Sequence, residues 1–329
     1  MRILTESEIR KLYSMQEAIQ DLKKALIHHK EGKIENPQRT VLDFPEQSAS
    51  ILYMPSAWQE RKFACVKVVS IFPNNPEKKK KTTQGIILLT DTETGDHLAC
   101  MDASYLTRLR TGALSAIATE YLAKRSAQTL AVIGCGRMAE EQVQGVLAVR
   151  NIQTIILFNR TLERANAFAE KIRKQNPQFY GNIEIARFAD EAVQQAEIIN
   201  CATRSEKPVF SGKSLQTGSH INGIGSYLPH MQEVDETTVL RATKIVVDTL
   251  EGVKQEAGDL IIPANKGRWR FEQIYGQLDQ LVAGEISGRD NDEEITFFKS
   301  VGAAYFDLAV AQSVYKKAVE HDVGIVRNL

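Results

Sequence analysis

Two textures divide the chain when apolar and polar positions are followed in order. In the first, up to about residue 115, helix and strand mix without strict alternation. "MRILTESEIRKLYSMQEAI" opens with Thr5 and Glu8 at capping-box spacing and predicts an amphipathic helix. Extended runs follow at "SILYMP", "FACVKVVSIFP", "GIILLTDTETG" and "HLACMDA". The Thr-Glu-Thr-Gly between the last two predicts a hairpin turn, so this region should hold a largely antiparallel sheet. A helix from about Ser104 to Lys124 leads out of it.

From Gln128 strands and helices alternate: "TLAVIG", helix, "TIILFN", helix, "IEIARF", helix, "EIINCAT", then "HINGIG" and "KIVVDT". That alternation predicts an α/β fold with a Rossmann-like, doubly wound parallel sheet. The last segment reads as one amphipathic helix starting at Ser300. Its pattern fits a helix that completes the parallel-sheet unit as well as one that crosses back to the first region.

Composition narrows the function classes. A chain of 329 residues suits two domains. Its 41 basic and 41 acidic residues cancel, so no long-range field draws it to nucleic acid or an anionic membrane, and a small molecule is the expected partner. No segment reaches the ~20 apolar residues of a membrane span, and the opening residues lack the apolar run of a secretion signal, which predicts a cytoplasmic protein. Cys65, Cys100, Cys135 and Cys201 form no metal-ligand spacing and are expected to be reduced core residues. Lys78 to Lys81, beside Pro73 and Pro76, reads as a solvated loop.

Candidate chemistry begins at "TLAVIGCGRMAEEQV". Gly134 permits a tight turn directly after an apolar strand, and Gly136 lets backbone amides approach a pyrophosphate at a helix N-terminus. Arg137 and Met138 open the helix, and Ala139 takes the close-packing place of a third glycine. The next strand ends in Asn159, Arg160 and Thr161, where an NAD site usually carries a carboxylate for the ribose 2′-hydroxyl. With no acid there, and Arg160 able to pair with a 2′-phosphate, NADPH is expected over NADH.

Lys67 is the second candidate, because it interrupts the apolar strand "FACVKVVSIF". An internal lysine is seldom found without a partner. The alternative is an edge strand with its ammonium in solvent.

"VKVVSIFPNNP", "TTQGIILLTDTETGDHLACMDASYLTRLRTGALSA", "VIGCGRMA", "HINGIGSYLPHMQEVD" and "ITFFKSVGAAYFDLAVA" together resemble the ornithine cyclodeaminase/mu-crystallin family, in order and over nearly the whole chain. The resemblance implies a homodimer. It divides the chain into residues 1–125 with 302–329, for substrate and dimerisation, and a dinucleotide domain of 126–301, with the last helix returning to the first domain and the active site between the two. It implies that Arg39 binds a substrate carboxylate, that Lys67 is the active-site lysine, and that Arg110 serves both cofactor phosphates and substrate. It places Thr82, Arg137, Met138, Thr203 and Ser300 against the cofactor and a backbone group of Val301 against the substrate. Ser300 would also be the N-cap of the last helix, its amides facing an anion.

In the cyclodeaminases of this family, the turn matching Gly225-Ser226-Tyr227-Leu228-Pro229 carries an acid/base aspartate where this sequence has Tyr227. A phenol of reference pKa ~10 is poorly matched to that work. Leu52 likewise stands where a cyclodeaminase glutamate is expected. Both departures disfavour a diamine substrate. The expected function is therefore NAD(P)H-dependent reduction of a small 2-imino acid such as Δ1-pyrroline-2-carboxylate, with Tyr227 walling the substrate ring. The alternatives are an ornithine cyclodeaminase, an amino-acid dehydrogenase, and a non-catalytic NADPH-dependent binding protein of the mu-crystallin type.

Overall fold

The computed structural model describes residues 1–328, which form two compact units: Met1–Arg110 with the chain from Ala303 onward, and Thr111–Gly302. The first unit contains β1 (Arg2–Leu4), α1 (Glu6–Leu12), α2 (Met15–Lys30), β2 (Ile34–Glu35), β3 (Thr40–Phe44), β4 (Ala49–Trp58), β5 (Phe63–Ile71), β6 (Thr83–Asp91) and β7 (His97–Asp102). The division falls inside α3 (Ala103–Leu122). The second unit continues with β8 (Thr129–Ile133), α4 (Arg137–Val149), β9 (Thr154–Phe158), α5 (Leu162–Gln175), β10 (Asn182–Ile185), α6 (Ala189–Gln195), β11 (Ile198–Cys201), β12 (His220–Gly223) and α7 (Glu236–Arg241). It ends with β13 (Lys244–Val247), α8 (Leu250–Glu256), α9 (Gly258–Asn265), β14 (Gly276–Gln277), α10 (Leu278–Val282) and β15 (Thr296–Lys299). Two last elements, α11 (Ala304–Glu320) and β16 (Ile325–Val326), belong to the first unit.

The first unit is built on a mixed sheet in the order β16-β1-β7-β6-β5-β4-β2, with β3 paired to β4. As expected it is largely antiparallel, and only β1 and β7 run parallel. The predicted β6–β7 hairpin forms: Gly95 takes φ +79° and its N–H reaches the Asp91 carbonyl. One face of this sheet carries Met54, Lys67, Ile87 and Met101 in register, and α11 packs on β4, β5 and β6. The opposite face carries the rows Tyr53–Val68–Ile86 and Pro55–Val66–Leu88. Ile86 there is 48% exposed and Tyr53 37%.

The second unit is an all-parallel sheet, β10-β9-β8-β11-β12-β15-β13-β14. Its strands β8 and β9 are apolar on both faces, as strands covered by helices on both sides are. Leu130 and Val132 enter one core with Val143 of α4 and Phe168 of α5. Ala131 and Ile133 enter the other with Val193 of α6 and Val239 of α7. The C-terminal half of α3 lies tightly on α4: a Cβ on Gly112 would stand 2.3 Å from the Glu141 carbonyl oxygen, and one on Gly145 2.3 Å from that of Gly112.

Three expectations are corrected. The opening helix is two helices, because Ser14 makes its own capping box with Glu17 and restarts the helix after Tyr13. The last helix starts at Ala304, with Ala303 rather than Ser300 as its N-cap. Gly302 takes φ +86°, which keeps the chain out of helical geometry until it has passed. Only Cys65 and Cys201 are buried, whereas Cys100 and Cys135 are half-buried; all four are free thiols. Among the described residues no helix is long and apolar enough to cross a membrane, and no His/Cys/Asp/Glu group could hold a metal ion.

Candidate active site

β5 lies between β4 and β6, so Lys67 is not on an edge strand, and only 2% of it is exposed. Its Nζ sits 2.5 Å from Oδ2 of Asp307 on α11. The second carboxylate oxygen of Asp307 lies 3.4 Å from Nε of Arg110 on α3, a buried nitrogen without a hydrogen-bond partner among the described residues. Arg39, on the loop between β2 and β3, adds a third positive charge that acts on Lys67. Asn36 of the same loop accepts a hydrogen bond from the Tyr305 N–H at 3.2 Å, tying the loop to the first turn of α11. Two buried cations, Lys67 and Arg110, thus share the Asp307 carboxylate. Burial pushes the Lys67 ammonium down to about 8; Asp307 opposes the shift, and Arg110 and Arg39 add to it. Lys67 has ammonium protons beyond the one it gives Asp307, and clustered cations of this kind can pair with an anion. Thr82 stands apart, next to Thr83, which pairs with Ile71 four positions beyond Lys67 along the hairpin.

In the second unit the strand order reverses between β8 and β11, and ligands of open α/β sheets bind outside the strand ends at such a point. The turn after β8 lies there. Gly134 adopts φ +96°, and a Cβ on it would come 2.6 Å from Cγ2 of Thr203, which follows β11. A Cβ on Gly136 would enter open space. α4 begins at Arg137, with Arg137 exposed, Met138 half-buried and Ala139 in the core as its close-packing place requires. A thirteen-residue helix with open space above its first turn fits a dinucleotide pyrophosphate. At the end of β9 the Asn159 side chain accepts from the Cys135 N–H at 3.2 Å and donates to the Thr161 carbonyl at 2.9 Å, leaving Arg160 and Thr161 exposed. Burial pushes the Cys135 thiol up to about 12, so it is no nucleophile.

The remaining strand ends are cross-braced by buried charges. Glu233 accepts from the N–H of Thr203 at 2.5 Å and its hydroxyl at 2.8 Å, and from the N–H groups of Gly225 at 2.6 Å and Ser226 at 3.1 Å. Burial pushes its carboxyl up to about 7; Lys299 opposes this, Asp259 adds to it, and the Thr203 donors also oppose it. Asp259 accepts from the Glu233 and Val234 amides at 2.6 and 3.0 Å and from the Ser226 hydroxyl. Lys299, with no exposed surface, donates to Asp259 at 2.7 Å and to the carbonyl and hydroxyl of Ser226 at 2.6 Å each. Tyr227, the next residue, is half-buried.

Ser300 is also engaged differently from expectation. Its hydroxyl donates to Asp248 at 2.7 Å, and the Val301 and Gly302 amides donate to the same oxygen at 2.9 and 2.6 Å. An internal carboxylate therefore fills the donor cluster that would have faced an external anion. Asp248, Glu233, Asp259, Lys299 and Asp307 escaped the sequence reading. Two of them carried the signal that marked Lys67, a lone charge in an apolar run: "ITFFKSVG" and "AYFDLAVA".

Known proteins resemble this chain over nearly its whole length. The sequence model of the ornithine cyclodeaminase/mu-crystallin family matches residues 1–322. A Δ1-pyrroline-2-carboxylate reductase of Bacillus cereus is 42% identical over 327 residues, 98% of each chain. Among solved structures, the Thermococcus litoralis Δ1-pyrroline-2-carboxylate reductase in complex with NADH and L-proline superposes with a TM-score of 0.95 at 37% identity, covering 99% of this chain and 100% of that one. An archaeal alanine dehydrogenase dimer with bound NAD gives a TM-score of 0.92 at 33% identity, over 100% and 99% of the two chains.

Proposed function

Because this chain belongs to the ornithine cyclodeaminase/mu-crystallin family, we propose that it is a nicotinamide-dependent oxidoreductase that reduces Δ1-pyrroline-2-carboxylate to L-proline. The observation that carries this reading is the buried pair of Lys67 and Arg110 on the Asp307 carboxylate, with the charge of Arg39 also acting on Lys67. The substrate's carboxylate neighbours the carbon that accepts hydride. Arg39, Arg110 and Lys67 pair with that carboxylate and fix the ring. Gly134, Gly136, Arg137, Met138 and Thr203 would hold a nicotinamide dinucleotide, which would supply the hydride when bound. Lys67, titrating at about 8, is mostly protonated at neutral pH and delivers the proton that the new amine requires. Neither Tyr227 nor Leu52 provides a carboxylate for the second amine of ornithine.

We assign NADPH as the preferred form, on the absence of an acid at Asn159-Arg160-Thr161 and the exposed Arg160 beside it. Affinities for NADPH and NADH measured on wild type and Arg160→Ala test this: about tenfold loss of NADPH affinity alone is expected, and a wild type that prefers NADH contradicts it.

We further propose that a second copy covers the apolar rows Tyr53–Val68–Ile86 and Pro55–Val66–Leu88, since exposed apolar sheet surface of this kind marks an interface. Ile86→Asp should then sediment as a monomer. Four free cysteines suit a reducing cytoplasm.

The deciding assay gives the purified protein NADPH with Δ1-pyrroline-2-carboxylate and, in parallel, ornithine with NAD. Stoichiometric NADPH loss with L-proline formed is expected. Proline and ammonia from ornithine, with no net change in cofactor, contradict the proposal.

A further inference from the structure

The turn that bears Tyr227 and the turn that bears Gly134 are joined by one side chain. Thr203 packs its methyl group against Gly134, at a distance that leaves no room for a Cβ there. Its amide and hydroxyl both donate to one oxygen of Glu233, and the amides of Gly225 and Ser226 donate to the other. Gly225 is pressed against the same residue: a Cβ on it would stand 1.9 Å from the Thr203 carbonyl oxygen and 2.7 Å from Oε1 of Glu233. Glu233 is in turn immobilised, because Asp259 accepts from its backbone N–H while Lys299 grips Asp259 and Ser226 together. A carboxylate with two donors on each oxygen is a clamp, and neither a neutral amide nor a shorter acid reproduces it.

We propose that Glu233 is a positioning residue that couples the dinucleotide phosphate turn to the Tyr227 turn, so that a bound cofactor fixes the Tyr227 turn. The link runs from Gly134 through Thr203 and Glu233 to Gly225 and Ser226, and Tyr227 follows directly. This inference rests on the proposed reading of a dinucleotide site, though not on which imino acid is reduced. The sequence-level signal was a glutamate inside "PHMQEVD", which looks like an ordinary loop acid until its four donors are seen.

The test uses the full-length protein and needs no turnover. Amide hydrogen exchange at Gly225 and Ser226 is measured with and without NADPH, alongside the NADPH dissociation constant. In the wild type, cofactor should slow exchange at both amides by about tenfold or more. In Glu233→Gln, one pair of donors loses its acceptor. NADPH should then bind about tenfold more weakly, and saturating NADPH should no longer slow the two amides. A Glu233→Gln protein that melts at lower temperature but keeps the wild-type dissociation constant and the wild-type slowing would show that Glu233 only supports the scaffold, and would overturn the proposal. If that variant does not fold, Thr203→Val keeps the shape against Gly134 and removes one donor. It should weaken binding and reduce the slowing by several-fold, and no change in either overturns the proposal. A wild type that shows the coupling yet leaves Δ1-pyrroline-2-carboxylate untouched would refute the substrate assignment and leave Glu233 in its role.

Discussion

Lys67 and Lys299 are both buried strand lysines, each held by an aspartate, at 2.5 Å and 2.7 Å. Their surroundings are opposite. Lys67 shares Asp307 with Arg110, and burial, with the charges of Arg110 and Arg39 adding to it, pushes its ammonium down to about 8. Lys299 faces Asp259, with Glu233 close behind, and spends its donors on Asp259 and on the carbonyl and hydroxyl of Ser226. Carboxyl groups outnumber the ammonium there, and all of its donors are taken, so nothing is left over for a ligand. A buried ammonium marks a reaction site when its counter-charge is incomplete, and marks a brace when every proton has an acceptor in the protein.

Removing each lysine should therefore damage different properties. Lys67→Met should lower kcat/KM by about 10³-fold or more, roughly 4 kcal/mol of transition-state stabilisation, while Asp307 keeps Arg110 as a counter-ion and limits the loss of stability. A Lys67→Met enzyme with full turnover would remove the lysine from the chemistry. Lys299→Met leaves Asp259 and Glu233 buried together without a cation and should cost about 3–5 kcal/mol in denaturant unfolding. A loss below about 1 kcal/mol would erase the distinction between brace and site. Arg110→Gln should raise KM for the imino acid about tenfold, through one lost charge-assisted pair, with a smaller effect on kcat. The smallest expected effect is a gain: Tyr227→Asp restores an acid beside the turn and should produce a trace of proline from ornithine, detectable by mass spectrometry.

Periodicity revealed both sheets, the hairpin at Gly95 and the glycine turn, because each depends on local spacing that a single sequence carries. Lys67 was legible for a related reason, since a charge inside an apolar strand breaks a pattern. Its partner Asp307 lies 240 residues away, and no local pattern could join the two. Ser300 misled because a serine before an apolar helix is a good N-cap by composition. Only the fold shows that Asp248 has taken its hydroxyl and the following amides. Glu233 was invisible for the same reason, as its four donors come from turns after two different strands.

The comparison rests on the charge state of Lys67, and the pH dependence of kcat/KM for Δ1-pyrroline-2-carboxylate reads it directly. If the protonated ammonium is the working form, activity falls as pH rises through about 8. Asp307 is the anion that holds this ammonium up against burial, so Asp307→Asn should move the falling limb to lower pH, while any titration of the substrate itself stays where it was. A limb that does not move, or that moves to higher pH, would contradict the assignment of Lys67 as the proton-bearing group of the site.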